Sequence, residues 1–597
     1  MKRIGFFILA SVLLMGCEDF LEDKPLTYKT SETFPQTADD AKQMMAGIYT
    51  TMNNEQQFVD KSYFFINEVA SDDKLGGGGT NDLNALAIEN LMYDSPEMLD
   101  HMWEQKYKGI YRANYALEQI DLIDDEMVSP TQKDQYRGEA LFFRAWFYYQ
   151  LATTFGEVPL TIDTEYENLP AAPADELYGQ MASDLKKAIE VMPEDKYYEI
   201  EDGRVTRWAA EALMARIYLF YTGFYNQDVL PLADGGSVSK QEVIDWLQDC
   251  IDNSGHELVD DFHELWPYTN SETIDDYEYI QDYMEETGKD LEYASDEGAQ
   301  NPETMFMIKF SNYADWDVPR GYSNQYQLYF ALRGLQPLDK TFPFAGGWGQ
   351  GNSVPKSLVD QWQADEPDDP RLWASIIDIN KEVMDSIPNE DYPENSDDPY
   401  VQTGYLRGQW DFVMESNYWG KKIIGITAED EEGNLVNDYS VIQHGTTNNN
   451  QLSHIDDLVY IRFADVLLMM SELTEDAQYM NQVRERAGLD PVSYSLENIQ
   501  KERRYELAFE GVRWNDMRRW GDAYTKENLQ DQVGVKVYNF GAPDTHEHDS
   551  GDENGYAKRY DETRGFFPIP EQQIELSDGQ LEQVDGFKDG NGLYTGW

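Results

Sequence analysis

Cysteine is nearly absent from this chain of 597 residues, which has only Cys17 and Cys250. An intrachain disulfide framework is thereby excluded if Cys17 is otherwise engaged, as argued below. Cys250, beside Trp246, Leu247 and Ile251, reads as a buried helix residue and not as a nucleophile. Basic side chains are also scarce: 46 against 113 acidic ones, for a net charge of −67. Such a surface repels phosphate backbones, so no nucleic-acid partner is expected. It argues against charge-driven docking on an anionic leaflet and, weakly, against polyanionic substrates. A local basic patch such as Lys421-Lys422 would oppose this field. The seven histidines are scattered apart from His546 and His548, in a stretch that reads as a solvated acidic loop. His256-Glu257 is followed at Asp260 by a residue that cannot complete a zinc pair. No phosphate-cradling G-x-x-x-x-G-K-[ST] and no G-x-S-x-G serine elbow occurs, and Gly76–Gly79 reads as a flexible tip. With so many acids, no carboxylate pair stands out as a glycosidase site. The expectation is no catalytic residue, no metal site and no cofactor, beyond Ca2+ held loosely in acidic loops.

Long apolar runs are missing too, with one exception. Lys2 and Arg3 precede an apolar stretch, Ile4–Met15, which is shorter than the roughly 18 residues needed to cross a bilayer. It ends in Leu14-Met15-Gly16-Cys17 and reads as a lipoprotein signal peptide over 1–16, with Cys17 the lipidated residue. Residues 17–37 are polar and acidic and read as a tether. Residues 38–597 then form the body, expected as a single domain and held to the membrane by lipid alone.

Helical periodicity dominates that body. Trp103, Tyr107, Ile110 or Tyr111, Leu117 and Ile120 form one stripe in Met102–Ile123. Gly138–Phe155 is apolar almost all round and predicts a central buried helix stopped by Gly156. Further helices are predicted over Asp175–Val191 and over Thr206–Phe224, the latter capped by Thr206. Periodicity returns at Leu458–Leu473, Thr474–Ala487 and Leu496–Trp520. Helix pairs, at about 38–225 and 456–521, thus bracket a loop-rich insertion at about 230–455, and 522–597 is irregular. Within the insertion only Lys240–Asn253 and Pro355–Gln363 carry a clear helical pattern. Paired helices of this kind point to a mainly α solenoid, although no 34-residue repeat is present.

Aromatic residues are abundant, with 14 Trp, 40 Tyr and 26 Phe. Those at helical spacing read as core. In the insertion, Tyr313, Trp316, Tyr322, Tyr326 and Trp348 have no periodic face to bury against. A flat ring beside Asn, Asp or Arg is what a sugar requires, its C–H face packing on the ring while polar neighbours bond its hydroxyls.

Several blocks resemble the SusD/RagB family: Gly138–Leu160, Gly203-Arg204-Val205-Thr206, Tyr460–Met469 and Asn481–Leu489. Glu502–Gly511 with Arg513-Trp514 and Arg518–Gly521 is the most specific, and Phe567-Pro568-Ile569-Pro570 closes the series. The resemblance spans the chain from Cys17 almost to its end. It implies tetratricopeptide-like helix pairs forming a right-handed superhelical scaffold, with a large irregular half that carries the ligand. It also implies a surface lipoprotein of Bacteroidota that binds oligosaccharide, or in some members peptide. Such a protein passes its ligand to a SusC-like TonB-dependent transporter, and Glu18-Asp19 resembles the signal for the outer face of the outer membrane. By region, the resemblance places ligand contacts near Asp72-Asp73, Asn81 and Tyr93, and near Trp316, Tyr322 and Trp348. The chain departs from the family at Ser471-Glu472-Leu473 and in the short Thr474–Gln478 connection. The alternative reading is a lipid-anchored α/α-barrel glycoside hydrolase or lyase, which would release product. Physically the blocks read as structural, with Arg503, Arg504 and Glu510 spaced to pair across packed helices. Arg504→Ala should therefore misfold the protein, as seen by circular dichroism and thermal melting. A well-folded but functionally dead variant would contradict that role.

Overall fold

Small polar caps set where the long helices begin. The Thr37 hydroxyl accepts from Asp40 N, whose carboxylate returns a bond to the cap, and opens α1 (Ala38–Glu55). Ser62 caps α2 (Tyr63–Val69), followed by α3 (Leu83–Glu89) and α4 (Asp100–Gln119). Ser129 caps α5 (Pro130–Phe155), whose proline sits in the first turn, where its missing N–H costs nothing. α6 (Ala174–Val191) precedes α7 (Arg207–Phe224), capped by Thr206, and α8 (Lys240–Asn253), capped by Ser239 with Glu242. Each of α4 to α8 packs on its neighbour in sequence, with α5 between α4 and α6. The α5 helix is buried on every side over its last five turns and ends at Gly156, where φ is 81°. α4 lies so close to α5 that a side chain at Gly109 would collide with the Phe147 ring. Ile110 faces the core and Tyr111 faces solvent.

The computed structural model describes residues 34–76, 82–165, 167–295, 300–311, 323–333, 343–378, 381–382, 416, 418–433, 435–436, 439–445, 448–449, 451–530, 536–538, 545–547 and 555–595. Cys17, Gly77–Gly79, Asn81, Tyr313, Trp316, Tyr322 and His548, all singled out above, lie outside them.

The insertion has more regular structure than its composition predicts. It contains the short helices α9 (Glu278–Thr287), α10 (Gln325–Phe330), α11 (Lys356–Asp365), α12 (Arg371–Ser375) and α13 (Ser440–His444). Strand β1 (Thr304–Ile308) crosses into the helical half, and β2 (Ile376–Asp378) pairs antiparallel with β3 (Tyr418–Gly420). The structure corrects the reading of Leu458–Leu473 as one helix. Its first five residues form β4 (Leu458–Arg462), antiparallel to β1, and α14 (Phe463–Thr474) starts only afterwards. Alternation of buried residues in so short an apolar run does not separate strand from helix. α15 (Ala477–Arg486) follows a tight elbow: Glu475 has φ 57°, and the Asp476 carboxylate accepts from Gln478 N at 2.9 Å. Leu496–Trp520 is likewise two helices, α16 (Leu496–Glu506) and α17 (Arg513–Arg519), broken where Phe509 and Gly511 take positive φ. α18 (Asp522–Gln530), α19 (Tyr556–Thr563) and α20 (Glu571–Leu576) complete the chain.

One hydrophobic core runs from Ala41 to Phe587, so the N-terminal helices, α14 to α17 and the C-terminal segment fold together. A second core, from Val259 to Tyr439, serves the insertion, and a small third one stacks Trp362 on Tyr505 with ring centroids 4.5 Å apart.

Buried charge ties these cores together. Glu506 accepts from Arg371 at 2.9 Å, and also from Arg462 and Arg486. Arg371 also reaches Asp369 and Glu502, and Arg462 reaches Glu303 and, at 2.7 Å, Glu510. Arg503 bridges Asp465 at 2.7 Å and Asp516 at 2.8 Å, joining α14, α16 and α17. Burial by itself would raise the Glu506 carboxyl, but Arg486, Arg462 and Arg371 hold it well below the usual carboxylate range. Each ion loses hydration on folding, so the network contributes geometric specificity more than net stability. Removing one member is another matter. Glu506→Ala removes the carboxylate shared by Arg371, Arg462 and Arg486 and leaves the cluster with excess buried positive charge, although each arginine keeps another acidic partner. It should cost about 3–5 kcal/mol in a urea titration; a cost below about 1 kcal/mol would show that the network does not hold the fold.

Candidate functional site

The site begins at the turn after α2. The Ser71 hydroxyl donates to Glu68 O at 2.7 Å and accepts from Asp73 N at 3.2 Å, which curls the chain back. Two arginines of the distant C-terminal half then clamp it. Arg504 binds Asp72 at 2.7 Å and Asp73 at 2.8 Å, and Arg513 grips both oxygens of Asp72 at 2.7 and 2.9 Å. Burial opposes ionisation of Asp72, but the two guanidiniums outweigh it and pull the carboxyl down to about 2. Glu68 lacks such a clamp. Burial pushes it up to about 7, although Lys74 and a 2.7 Å bond from Gly511 N work against that.

From this turn the chain reaches the glycine-rich loop of the insertion. Leu75 N donates to Ser353 O at 2.9 Å, and Lys74 donates to the Asn352 side-chain oxygen while lying 4.2 Å from the Phe509 ring centre. Asn352 passes the link on to Phe330 O at 2.6 Å and Gly420 O at 2.9 Å. Gly351 has φ 63°, and a Cβ there would sit 2.7 Å from Val69. Only glycine lets the loop lie this close to α2. The result places Trp348 half-buried, its ring 4.9 Å from that of Tyr329 and inclined at 62°. Trp348 N donates to Leu328 O at 3.0 Å and Gln350 N to Tyr329 O at 2.7 Å. The Gln350 amide reaches the Asp82 carboxylate at 3.3 Å. Asp82 is buried and holds the loop through the Gln350 amide, so the partly exposed Trp348 indole is an apolar platform on a rigid base.

A family model described as "Starch-binding associating with outer membrane" matches residues 19–219, and a second, "SusD family", matches residues 338–587. The chain belongs to the SusD/RagB family. SusD-like protein P25 of Formosa agariphila is 24% identical over 583 residues, covering 91% of this chain and 93% of its own. A SusD-like protein of Bacteroides ovatus is 21% identical over 71% of this chain and 66% of its own. Among solved structures, a laminarin-binding SusD-like protein aligns with TM-score 0.64 at 21% identity, over 92% of this chain and 100% of that one. Surface glycan-binding protein A from Bacteroides thetaiotaomicron in complex with laminarihexaose aligns with TM-score 0.65 at 19% identity, over the same shares. The mainly helical architecture is thus that of SusD-like proteins.

In this SusD/RagB chain the turn at 71–75 and Asp82 meet the loop at 348–353, while Asn81, Trp316 and Tyr322 lie outside the described residues. Trp348 is partly exposed, and Asp82, the residue after Asn81, is buried and linked to the same loop through Gln350. Asp73 is buried and committed to Arg504, so it shapes the turn and does not face a ligand. Tyr326 requires correction: it is fully buried, edge-on to Phe64 at 5.6 Å, because it belongs to α10 and that helix has a core face. Tyr93 clasps the C-terminal segment, donating from its N to Gly592 O at 3.0 Å and accepting from Tyr594 N at 2.7 Å. Lys421 and Lys422 are not a surface patch. Both are buried, Lys421 on Glu382 at 2.8 Å and Lys422 on Glu510 at 2.6 Å, and burial brings Lys422 down to about 8. Cys250 is buried in α8 as expected. Gln350 and Asp82 went unrecognised in the sequence, although the Gly-Gly-Trp-Gly-Gln-Gly-Asn run carried the signal. Among the described residues, no three His, Cys, Asp or Glu side chains are grouped to hold a metal.

The raised Glu68 gives a pH test of this geometry. A carboxyl raised from 4.5 to about 7 favours the folded state below pH 4.5, and that advantage is lost as the pH rises through 7. Glu68→Gln keeps the acceptor for Gly511 N. It should match wild type at pH 4 and exceed it by about 1–3 kcal/mol at pH 8. Equal stability at both values would contradict a buried, unclamped Glu68.

Proposed function

We propose that this protein is a non-catalytic surface lipoprotein that captures oligosaccharide and delivers it to a SusC-like TonB-dependent transporter in the outer membrane. The observation that carries this reading is the partly exposed Trp348 ring on a glycine-rich loop tied, through Lys74 and Asn352, to the turn that Arg504 and Arg513 lock. Solved proteins of the same fold are named for binding laminarin and laminarihexaose, which supports a glycan as the ligand class here. Asn81, Trp316 and Tyr322 complete the face in our reading. One ring contributes only about 1 kcal/mol beyond area burial, so capture needs several rings or avidity along a polymer.

Two features support binding without cleavage. Buried carboxylates such as Glu303, Glu502, Glu506 and Glu510 are already engaged by arginine or lysine, which leaves them no freedom to move a proton. The relatives of known ligand are named as binding proteins. Anchoring rests on Cys17. Among the described residues no helix is long and apolar enough to cross a membrane. The charge of −67 favours neutral over acidic glycans.

Affinity electrophoresis through gels containing neutral, acidic or amino-sugar polysaccharides tests this reading, with each lane assayed for released sugar. We expect retardation on a neutral glycan without product. Trp316→Ala combined with Trp348→Ala should remove most of that retardation at unchanged melting temperature. Unchanged retardation would move the site elsewhere, and released sugar would make the protein an enzyme.

A further inference from the structure

A second cleft opens on the helical half, away from the Trp348 face in sequence and in the elements that build it. Its volume is about 460 Å3, within the roughly 300–1,000 Å3 usual for small-ligand sites. The floor is an aromatic row on α4, Trp103, Tyr107 and Tyr111, spaced four residues apart and therefore on one side of the helix. The Trp103 and Tyr107 rings lie 5.0 Å apart. Trp103 is braced edge-on by Phe155 at 5.2 Å, and the Tyr107 hydroxyl donates to Pro159 O at 2.8 Å. Tyr111, at the open end of the row, is 53% exposed.

The walls are built, not merely adjacent. One wall is the segment after α5, where Asn114 donates to Asp163 O at 2.8 Å and Arg144 to Ile162 O at 3.1 Å. Glu118 accepts from both Thr164 N and its hydroxyl at 2.8 Å. The other wall is α20, tied to the start of α4 by Gln572 N donating to Glu97 at 3.0 Å, and it presents Gln573. The rim groups are Glu104, Asp163, Glu165, Glu167 and Asn168. Among the described residues, no lysine, arginine or histidine lines the cleft.

A ring floor needs a ligand with a flat apolar face. A rim rich in carboxylate needs a ligand rich in donors, and it repels any acidic group. Saccharides without carboxylate or sulfate meet all three demands. We propose that this cleft is a second glycan-binding site, taking one end of a neutral or amino-bearing saccharide with a sugar ring on Tyr111. It rests on the glycan-capture reading and gives the protein two separate contacts with one polymer, so that the modest affinity of each is multiplied by linkage.

The test is calorimetric titration of the full chain in detergent with three probes: laminarihexaose, a glucosamine hexamer and a galacturonic acid hexamer. Wild type should show two binding events with the first or second probe and none with the third at the cleft. Tyr111→Ala should weaken one event about fivefold to tenfold while leaving melting unchanged, because the side chain is half in solvent. Tyr111→Phe keeps the ring and should behave as wild type. Trp348→Ala should remove the other event only. If Tyr111→Ala binds as wild type does, the cleft is not a site, while capture at Trp348 stands. If binding survives Trp348→Ala and disappears in Tyr111→Ala, the cleft is the principal site and the Trp348 face is not. Failure of wild type to bind any of the three overturns both, and Tyr111-dependent binding of the acidic hexamer overturns the charge argument.

Discussion

Glu506 is the point on which this architecture turns. It is a buried carboxylate shared by Arg371 from the insertion, Arg462 at the end of β4 and Arg486 at the end of α15. Arg371 comes from far away in sequence, whereas Arg462 and Arg486 belong to the neighbouring elements β4 and α15, and all three converge on the one carboxylate. Apolar burial alone would let helix pairs slide in register, because one leucine surface resembles another. An ionised group in a low-dielectric interior does not tolerate such slippage. The same logic extends outwards through Arg503, which joins Asp465 to Asp516, and through Arg504 and Arg513, which seize the Asp72–Asp73 turn. Structural specificity and the shape of the candidate face therefore come from buried ion clusters around Glu506, Arg503 and Asp72.

The composition makes sense in that light. With 46 basic residues set against 113 acidic ones, most acids go unpaired and serve solvation. The arginines are not spread evenly over this surplus. Arg371, Arg462, Arg503, Arg504, Arg513 and Arg519 are all buried or nearly so, where a planar guanidinium can satisfy one or two carboxylates. Lys421 and Lys422 follow the same pattern, which is why a pair that reads as a surface patch proves to be interior.

Long helices were legible because their signals are local. Thr206–Phe224 and Lys240–Asn253 carry their marks within a few residues and fall where those marks predict, while Gly138–Phe155 gave the stop of α5 but not its start, which lies eight residues earlier at Pro130 behind Ser129. The ion-pairing role of Arg503, Arg504 and Glu510 was legible too, but not their partners. Asp72 and Asp73 lie more than 400 positions away, and spacing within a block says nothing about such contacts. Leu458–Arg462 was misread because strand and helix bury a five-residue apolar run alike, and the distant pairing with β1 decides between them. Tyr326 was misassigned for a related reason: its short helix has no periodic stretch long enough to show its core face. Gln350 and Asp82 became visible only when the fold brought the two loops together. The cleft over α4 shows the converse, since Trp103, Tyr107 and Tyr111 were legible as a stripe, yet the exposure of its last ring was not.

The central claim is that the buried ions hold the face ready before any ligand arrives. Hydrogen–deuterium exchange followed by mass spectrometry, with and without laminarihexaose, tests it most directly. The account predicts that the turn at 71–76 and the loop at 346–352 exchange nearly as slowly as α16 in the free protein, and more slowly still around 82–89 and 346–352 once the saccharide is added. Rapid exchange of those segments in the free protein, or no change on adding saccharide, would contradict it.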